Sequence, residues 1–271
     1  MTAGLCLTVL LSGCRTTART YSVERPRVHN LKTDSFEIRS NFPIADDSPL
    51  AKELLQLKAT VQQTLQLPEQ RDPVIVYLFS DEQSYRRYMH HTWPKLPARR
   101  AYFVGTSREL AVYSYHSEFV EEDLRHEFTH GLLHASLNSV PLWLDEGLAE
   151  YFEVRGGAPG LPHTGHIEFL QEARAEGWTP SLYDLEHLTD FRRMTQREYA
   201  EAWGWVHFML NSTPQAQQVL VDYVAQLQTR SVASPLLPQL EQAVPTYFND
   251  MTAHVGGMSS SGIQTVGFET R

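Results

Sequence analysis

Residues 36–40 alternate apolar and polar, the two-residue period of a half-buried strand, and residues 74–79 form an unbroken apolar run that reads as a buried strand. Between them, residues 49–67 carry the helical period. Ser80 or Asp81 can cap a short helix running through His90, and residues 101–105 and 109–115 suggest two more strands joined by a turn at Thr106-Ser107. From there the period is helical. An amphipathic helix surrounds residues 118–135, with Ser117 as its candidate cap and Phe119, Leu124, Phe128, Leu132 and Leu133 as its apolar contacts. A second helix starts near Pro141 and stops before Gly156-Gly157, and further helices are predicted at 167–175, 196–212, 215–229 and 236–248. The expected fold class is α+β, a small mixed sheet with helices followed by a mostly helical subdomain.

The chemistry concentrates in the first two of those later helices. In His126-Glu127-Phe128-Thr129-His130 the histidines sit one turn apart on one helix face, where two imidazoles can converge on a single metal. Glu127 lies beside them, placed to take a proton from a metal-activated water. Only a few residues separate the two helices, so they should pack as antiparallel neighbours and bring Glu146 back as third ligand, with the fourth position open. Glu150, one turn further, rivals Glu146; Asp145 is a candidate for orienting a histidine, and Gly147 for close backbone approach. The bland alternative makes Glu146, Glu150 and Glu153 a solvated acidic stripe. His163 and His166 lie in a Gly/Pro-broken loop that could rim a cleft, and the adjacent His90-His91 point apart on a helix and read as surface.

Taken together, His126-Glu127-Phe128-Thr129-His130 and Trp143-Leu144-Asp145-Glu146-Gly147-Leu148-Ala149-Glu150-Tyr151-Phe152 resemble the gluzincin zinc metallopeptidases, most nearly their small bacterial peptidase-like lipoproteins and more distantly the membrane alanyl aminopeptidases. The resemblance covers about residues 100–210. It implies a zincin-like catalytic subdomain, one Zn2+ held by His126, His130 and Glu146, Glu127 as general base, and a peptide or protein substrate. It also implies a tyrosine from a later helix as oxyanion donor, for which Tyr199 is the best positional match and Tyr183 and His207 are competitors. In that pattern the strand nearest the catalytic helix offers an open edge to an extended peptide, and residues 110–115 are the candidate. No Gly-Ala-Met-Glu-Asn-like segment is present, so aminopeptidase specificity is not implied. Two rival readings remain: a catalytically silent zinc-containing envelope lipoprotein, and a zinc hydrolase of a non-peptide amide in cell-wall material.

The amino end adds a location. Val9-Leu10-Leu11-Ser12-Gly13-Cys14 closes an apolar run too short to span a bilayer and resembles a bacterial lipoprotein processing site, although no Lys or Arg precedes Arg15. Residues 1–13 are then a signal peptide, Cys14 a lipidated anchor, 14–32 a polar tether, 33–118 the N-terminal α/β part, 119–250 the helical zinc-binding part and 251–271 a flexible tail. Arg15 resembles the outer-membrane-directed pattern, so the expected address is the periplasmic side of the bacterial envelope. Cys6 and Cys14 are the two cysteines, which leaves the processed chain without an internal disulfide. A formal charge of -9, with no evident Lys/Arg stripe, argues against a nucleic-acid partner.

Overall fold

The computed structural model describes residues 23–258 apart from 71, 155, 157–159 and 233. The leader, Cys6, Cys14, Arg15 and the end of the tail lie outside the described residues, as does the start of the 157–166 loop. Five strands form one sheet: β1 (His29–Lys32), β2 (Phe36–Ser40), β3 (Val74–Phe79), β4 (Tyr102–Gly105) and β5 (Leu110–Tyr115), in the order β1-β2-β3-β5-β4. β2, β3 and β5 run parallel, and the edge strands β1 and β4 are antiparallel to their neighbours.

Parallel neighbours require crossovers, supplied here by α1 (Pro49–Leu65) after β2 and α2 (Glu82–Thr92) after β3. Ser48 caps α1 ahead of Pro49, and Asp81 caps α2 by accepting from Ser84 N–H at 2.8 Å. Side chains alternate across the sheet. Val74, Val76 and Leu78 face α1, while Tyr77, Phe79 and Tyr113 face Tyr85, Tyr88 and Met89 of α2 in a separate aromatic layer. In that layer Tyr77 stacks on Tyr113 with ring centroids 5.1 Å apart.

The second half is helical: α3 (Val120–Ser136), α4 (Leu142–Glu153), α5 (Thr164–Ala175), α6 (Leu182–His187), α7 (Gln196–Asn211), α8 (Pro214–Leu227), α9 (Leu237–Ala243) and α10 (Tyr247–Gly257). α3 lies on the α1 face of the sheet, where Phe128 meets Phe36 edge-on at 5.4 Å. Gly131 permits this approach, since a Cβ there would stand 2.7 Å from a methyl of Val74. α4 is buried on nearly every side between α3 and α7. At Gly147 a Cβ would lie 2.6 Å from the carbonyl oxygen of Ala202, so the two helices touch backbone to backbone.

Several boundaries differ from the sequence reading. β1 occupies the end of the stretch read as tether, with Leu31 buried. The single helix expected at 236–248 is two, because Pro245 pushes Val244 out of the helical region, to φ -134. α10 then extends into the stretch read as tail from 251, where Met251 and Val255 are buried one turn apart. Ser117 does not cap α3 in the expected way; its hydroxyl accepts from Phe119 N–H at 3.2 Å, ahead of the helix. α6, only six residues long, is too short for a helical period to announce it. The edge assignment is also corrected: residues 110–115 form β5, which lies between β3 and β4, and the exposed edge beside α3 belongs to β4.

Candidate metal centre

Helical periodicity on α3 brings His126 and His130 to one face, and their Nε2 atoms lie 3.2 Å apart. Glu146, on the antiparallel α4, places Oε2 3.6 Å from each of them. Tetrahedral coordination with bonds of about 2.0–2.2 Å has ligand-to-ligand edges of roughly 3.3–3.5 Å, so the three atoms suit a single ion. Glu146 Oε2 is buried and, among the described residues, accepts no hydrogen bond. An orphaned carboxylate oxygen facing two imidazole nitrogens fits a divalent cation, and two nitrogens plus one oxygen form a donor set suited to zinc.

The outer sides of both imidazoles are held by acids. His126 Nδ1 lies 2.8 Å from Glu153 Oε2, and His130 Nδ1 lies 2.8 Å from Asp145 Oδ1, which leaves the Nε2 lone pairs turned toward Glu146. Asp145 uses its second oxygen on His134 Nε2 at 2.9 Å. Burial alone would depress the imidazolium of His126, but the facing carboxylates of Glu146 at 3.6 Å and Glu153 at 2.8 Å hold the pKa well above the ordinary value. Burial opposes His130 likewise, and the charges of Asp145 and Glu146 outweigh it, raising the pKa to about 9. For Asp145 burial works against ionisation, yet the facing His130 and His134 keep the carboxyl well below the usual carboxylate range.

Glu127 sits at the sheet edge, accepting a hydrogen bond from Phe103 N–H at 2.6 Å. This contact follows from the hairpin. Thr106 N–H donates to Glu109 O at 2.9 Å, so alternation along the antiparallel pair turns the N–H and C=O of Phe103 and Gly105 outward. The Phe103 ring packs beside His134 and His130, with centroids 5.1 and 6.2 Å away. Tyr199 enters from the first turns of α7, whose start is fixed by a Thr195/Glu198 capping box. Its hydroxyl accepts from Arg99 Nη2 at 3.4 Å. Burial, then the negative charge of Glu146, raises its pKa and keeps the phenol protonated.

Among the described residues, three overlapping groups of buried or half-buried His and Glu lie close enough to hold a metal: His126/His130/Glu146, Glu150/His163/His166 and His126/Glu150/Glu153. The second group is less suited to an ion. The His163 and His166 rings stack 3.8 Å apart at 23°, which sets their in-plane lone pairs side by side instead of converging. His163 Nδ1 accepts the His166 backbone N–H at 3.1 Å, so a neutral His163 carries its proton on Nε2, where it donates to Glu153 Oε1 at 3.2 Å. Glu150 Oε2 lies 2.9 Å from His166 Nε2 and also belongs to the third group, with His126 and Glu153.

The structure thus brings His126, His130 and Glu146 together with Asp145 against His130, and sets Glu127 against Phe103 N–H and Tyr199 against Arg99. His163 and His166 belong to the start of α5, where His166 is buried. His207 donates or accepts elsewhere, with Nδ1 2.8 Å from His254 Nε2 and Nε2 3.2 Å from Gly160 O. Tyr183 is exposed beside His187, and His90 and His91 are exposed on α2. Glu153, Phe103 and Arg99 were not singled out as parts of the centre. For Glu153 the signal was present: Glu146, Glu150 and Glu153 recur at i, i+4 and i+7 within a helix otherwise rich in Trp, Leu, Tyr and Phe, so the acidic stripe faces inward and each carboxylate needs a partner. No curated protein matches the chain. Residues 122–236, which hold the three candidate ligands, Glu127 and Tyr199, are similar to a family described as "Protein of unknown function (DUF1570)".

Proposed function

We propose that this protein is a zinc-dependent metallopeptidase of gluzincin type with a zincin-like catalytic subdomain. The observation that carries the reading is the triangle of His126 Nε2, His130 Nε2 and Glu146 Oε2, with edges of 3.2, 3.6 and 3.6 Å, beside a glutamate that is not part of it. A purely structural ion would need no adjacent base. When bound, zinc supplies a Lewis acid that polarises a carbonyl and acidifies water. Glu127, steadied by Phe103 N–H, accepts the proton of the attacking water and returns it to the leaving amine. Tyr199, protonated by virtue of its burial, donates to the oxygen on which negative charge develops. The outward C=O of Phe103 and the N–H and C=O of Gly105 on β4 offer an extended peptide a strand to pair with.

The same proposal places the enzyme on the periplasmic side of a bacterial envelope, anchored through a lipidated Cys14, with a peptide or protein as substrate. No described helix is long and apolar enough to cross a membrane. Mass spectrometry of the amino-terminal peptide from cells carrying the authentic upstream sequence should show an acyl mass on Cys14; an unmodified Cys14 overturns the anchor alone. The activity is tested with zinc-loaded wild type and Glu127→Gln against a broad peptide library. Wild type should cleave, and the variant should keep zinc while cleaving about 10²- to 10⁴-fold more slowly. Equal rates would remove Glu127 from its role. Failure of wild type on peptides and on cell-wall amides alike would favour a silent zinc-binding lipoprotein.

A further inference from the structure

The formal charge of -9 conceals a local inversion. Residues 83–108 run from α2 to the hairpin turn after β4 and contain Arg86, Arg87, Lys95, Arg99, Arg100 and Arg108 with neither Asp nor Glu. Some of these cations are answered from outside the segment. Arg86 pairs with Glu82 at 2.6 Å, and Arg100 reaches Glu122 at 3.2 Å and Asp123 at 2.8 Å.

Arg99, next in the chain to Arg100, makes no such pair among the described residues. Its Nη2 donates to the Tyr199 hydroxyl at 3.4 Å, and the guanidinium carbon lies 5.9 Å from the centre of the Tyr102 ring. The side chain is half-buried beside the metal centre, near enough to feel the charge of Glu146. A guanidinium has five N–H donors in a planar fork, and one long bond to a neutral phenol occupies only one of them. Glu146, the nearest negative charge, is not paired with Arg99 and faces the two imidazoles, so a half-buried guanidinium with four N–H groups uncommitted has room for an anion that arrives from elsewhere. By donating to the tyrosine oxygen, Arg99 also leaves the phenolic proton free to point into the cleft.

We propose that Arg99 is a specificity-determining residue that receives a substrate carboxylate, so that the peptides taken carry an Asp or Glu side chain, or a free C-terminal carboxylate, close to the scissile bond. This rests on the peptidase reading of the same centre. The planar fork matches a carboxylate with two parallel hydrogen bonds, and the basic segment around it draws acidic peptides toward a chain that is otherwise acidic.

The test uses zinc-loaded full chain carrying Glu127→Gln, immobilised and offered two random short-peptide libraries, one with free and one with amidated C termini, with captured peptides identified by mass spectrometry. Carboxylate-bearing peptides should be enriched about tenfold or more; the amidated library separates side-chain from C-terminal carboxylates. Adding Arg99→Gln should abolish the enrichment and Arg99→Lys should restore part of it, with zinc content and melting temperature unchanged. Indifference to the carboxylate, equal enrichment without the guanidinium, uniform loss of all peptides in Arg99→Gln, or capture of none by the parent would each overturn the proposal. Failure of the underlying reading looks different: carboxylate-selective capture without turnover by wild type sinks the peptidase and leaves Arg99 standing, whereas turnover without carboxylate preference does the reverse.

Discussion

Replacing Gly147 by alanine tests how the centre is held together. Within a helix the substitution should stabilise by about 1 kcal/mol through propensity. Against this, the new Cβ would stand 2.6 Å from the carbonyl oxygen of Ala202, 2.9 Å from its carbonyl carbon and 2.9 Å from a methyl of Val206. Two of these three atoms are backbone and cannot rotate away, so α4 and α7 must part by several tenths of an ångström. Overpacking typically costs about 1–3 kcal/mol, and with two immovable backbone atoms the cost here falls at about 2–3 kcal/mol, so the balance predicts a net loss of about 1–2 kcal/mol. For a chain of this size that is a fall in melting temperature of roughly 2–8 °C. Because Glu146 rides on α4 and Tyr199 on α7, kcat should fall as well. Gly204→Ala is the control, since its Cβ would meet only the mobile ends of Met251 and Leu170, at 3.1 and 3.2 Å. Thermal melts and peptide turnover of both variants decide the matter: Gly147→Ala at or above wild-type stability would refute the backbone contact as the determinant of helix spacing.

The other expectations follow from the same geometry. His126→Ala and His130→Ala should each release the zinc, and Glu146→Ala should weaken its retention far more than Glu150→Ala, read by elemental analysis after dialysis; release by Glu150→Ala alone would reverse the ligand assignment. Tyr199→Phe should lower kcat by about 10²- to 10³-fold with zinc content and stability nearly unchanged, and undiminished turnover would return Tyr199 to a packing role. His207 is held neutral, its pKa lowered to about 4 by burial and then by the charge of His254. A histidine depressed in the folded state contributes stability that is present above its unfolded pKa near 6.5 and is lost as pH falls through about 4. Two and a half units correspond to about 3 kcal/mol. Urea titrations at neutral and acid pH should therefore show His207→Gln losing less stability on acidification than wild type, and parallel losses would refute the assignment.

The His126/His130/Glu146 cluster was legible because its spacing is helical and local: His126 and His130 lie one turn apart, and the short connection to α4 leaves Glu146 few places to go. Glu153 escaped because i, i+4, i+7 acidic spacing looks the same on a solvated face as on a buried one until the partner helix is known. β4 escaped as the edge for a topological reason. A hairpin strand is recognisable from Thr106-Ser107, but which of its two arms pairs with β3 is decided by distant packing. Arg99 and Phe103 could not be found by motif, since one is marked only by its single bond to Tyr199 from a distant element and the other by its backbone N–H. α10 was truncated because glycines at 256 and 257 suggest an end, whereas Met251 and Val255 reach back to α7 and keep the helix docked.

One apolar cluster runs without a break from Leu31 of β1 to Val255 of α10, joining sheet and helices. It follows that the stretch similar to a known family cannot be excised at residue 122 as a self-sufficient unit. Leu124, Phe128 and Leu132 would lose the strands they lean on. The intrinsic chromophores are unevenly divided between the two halves, although Trp93 packs against the sheet-side tyrosines and Tyr151, Tyr199 and Tyr223 lie among the helices. Trp143, Trp203 and Trp205 are buried among the helices, whereas the far face of the sheet is a layer of tyrosines. Red-edge tryptophan fluorescence and tyrosine-dominated near-ultraviolet dichroism should thus trace a single superimposable unfolding curve.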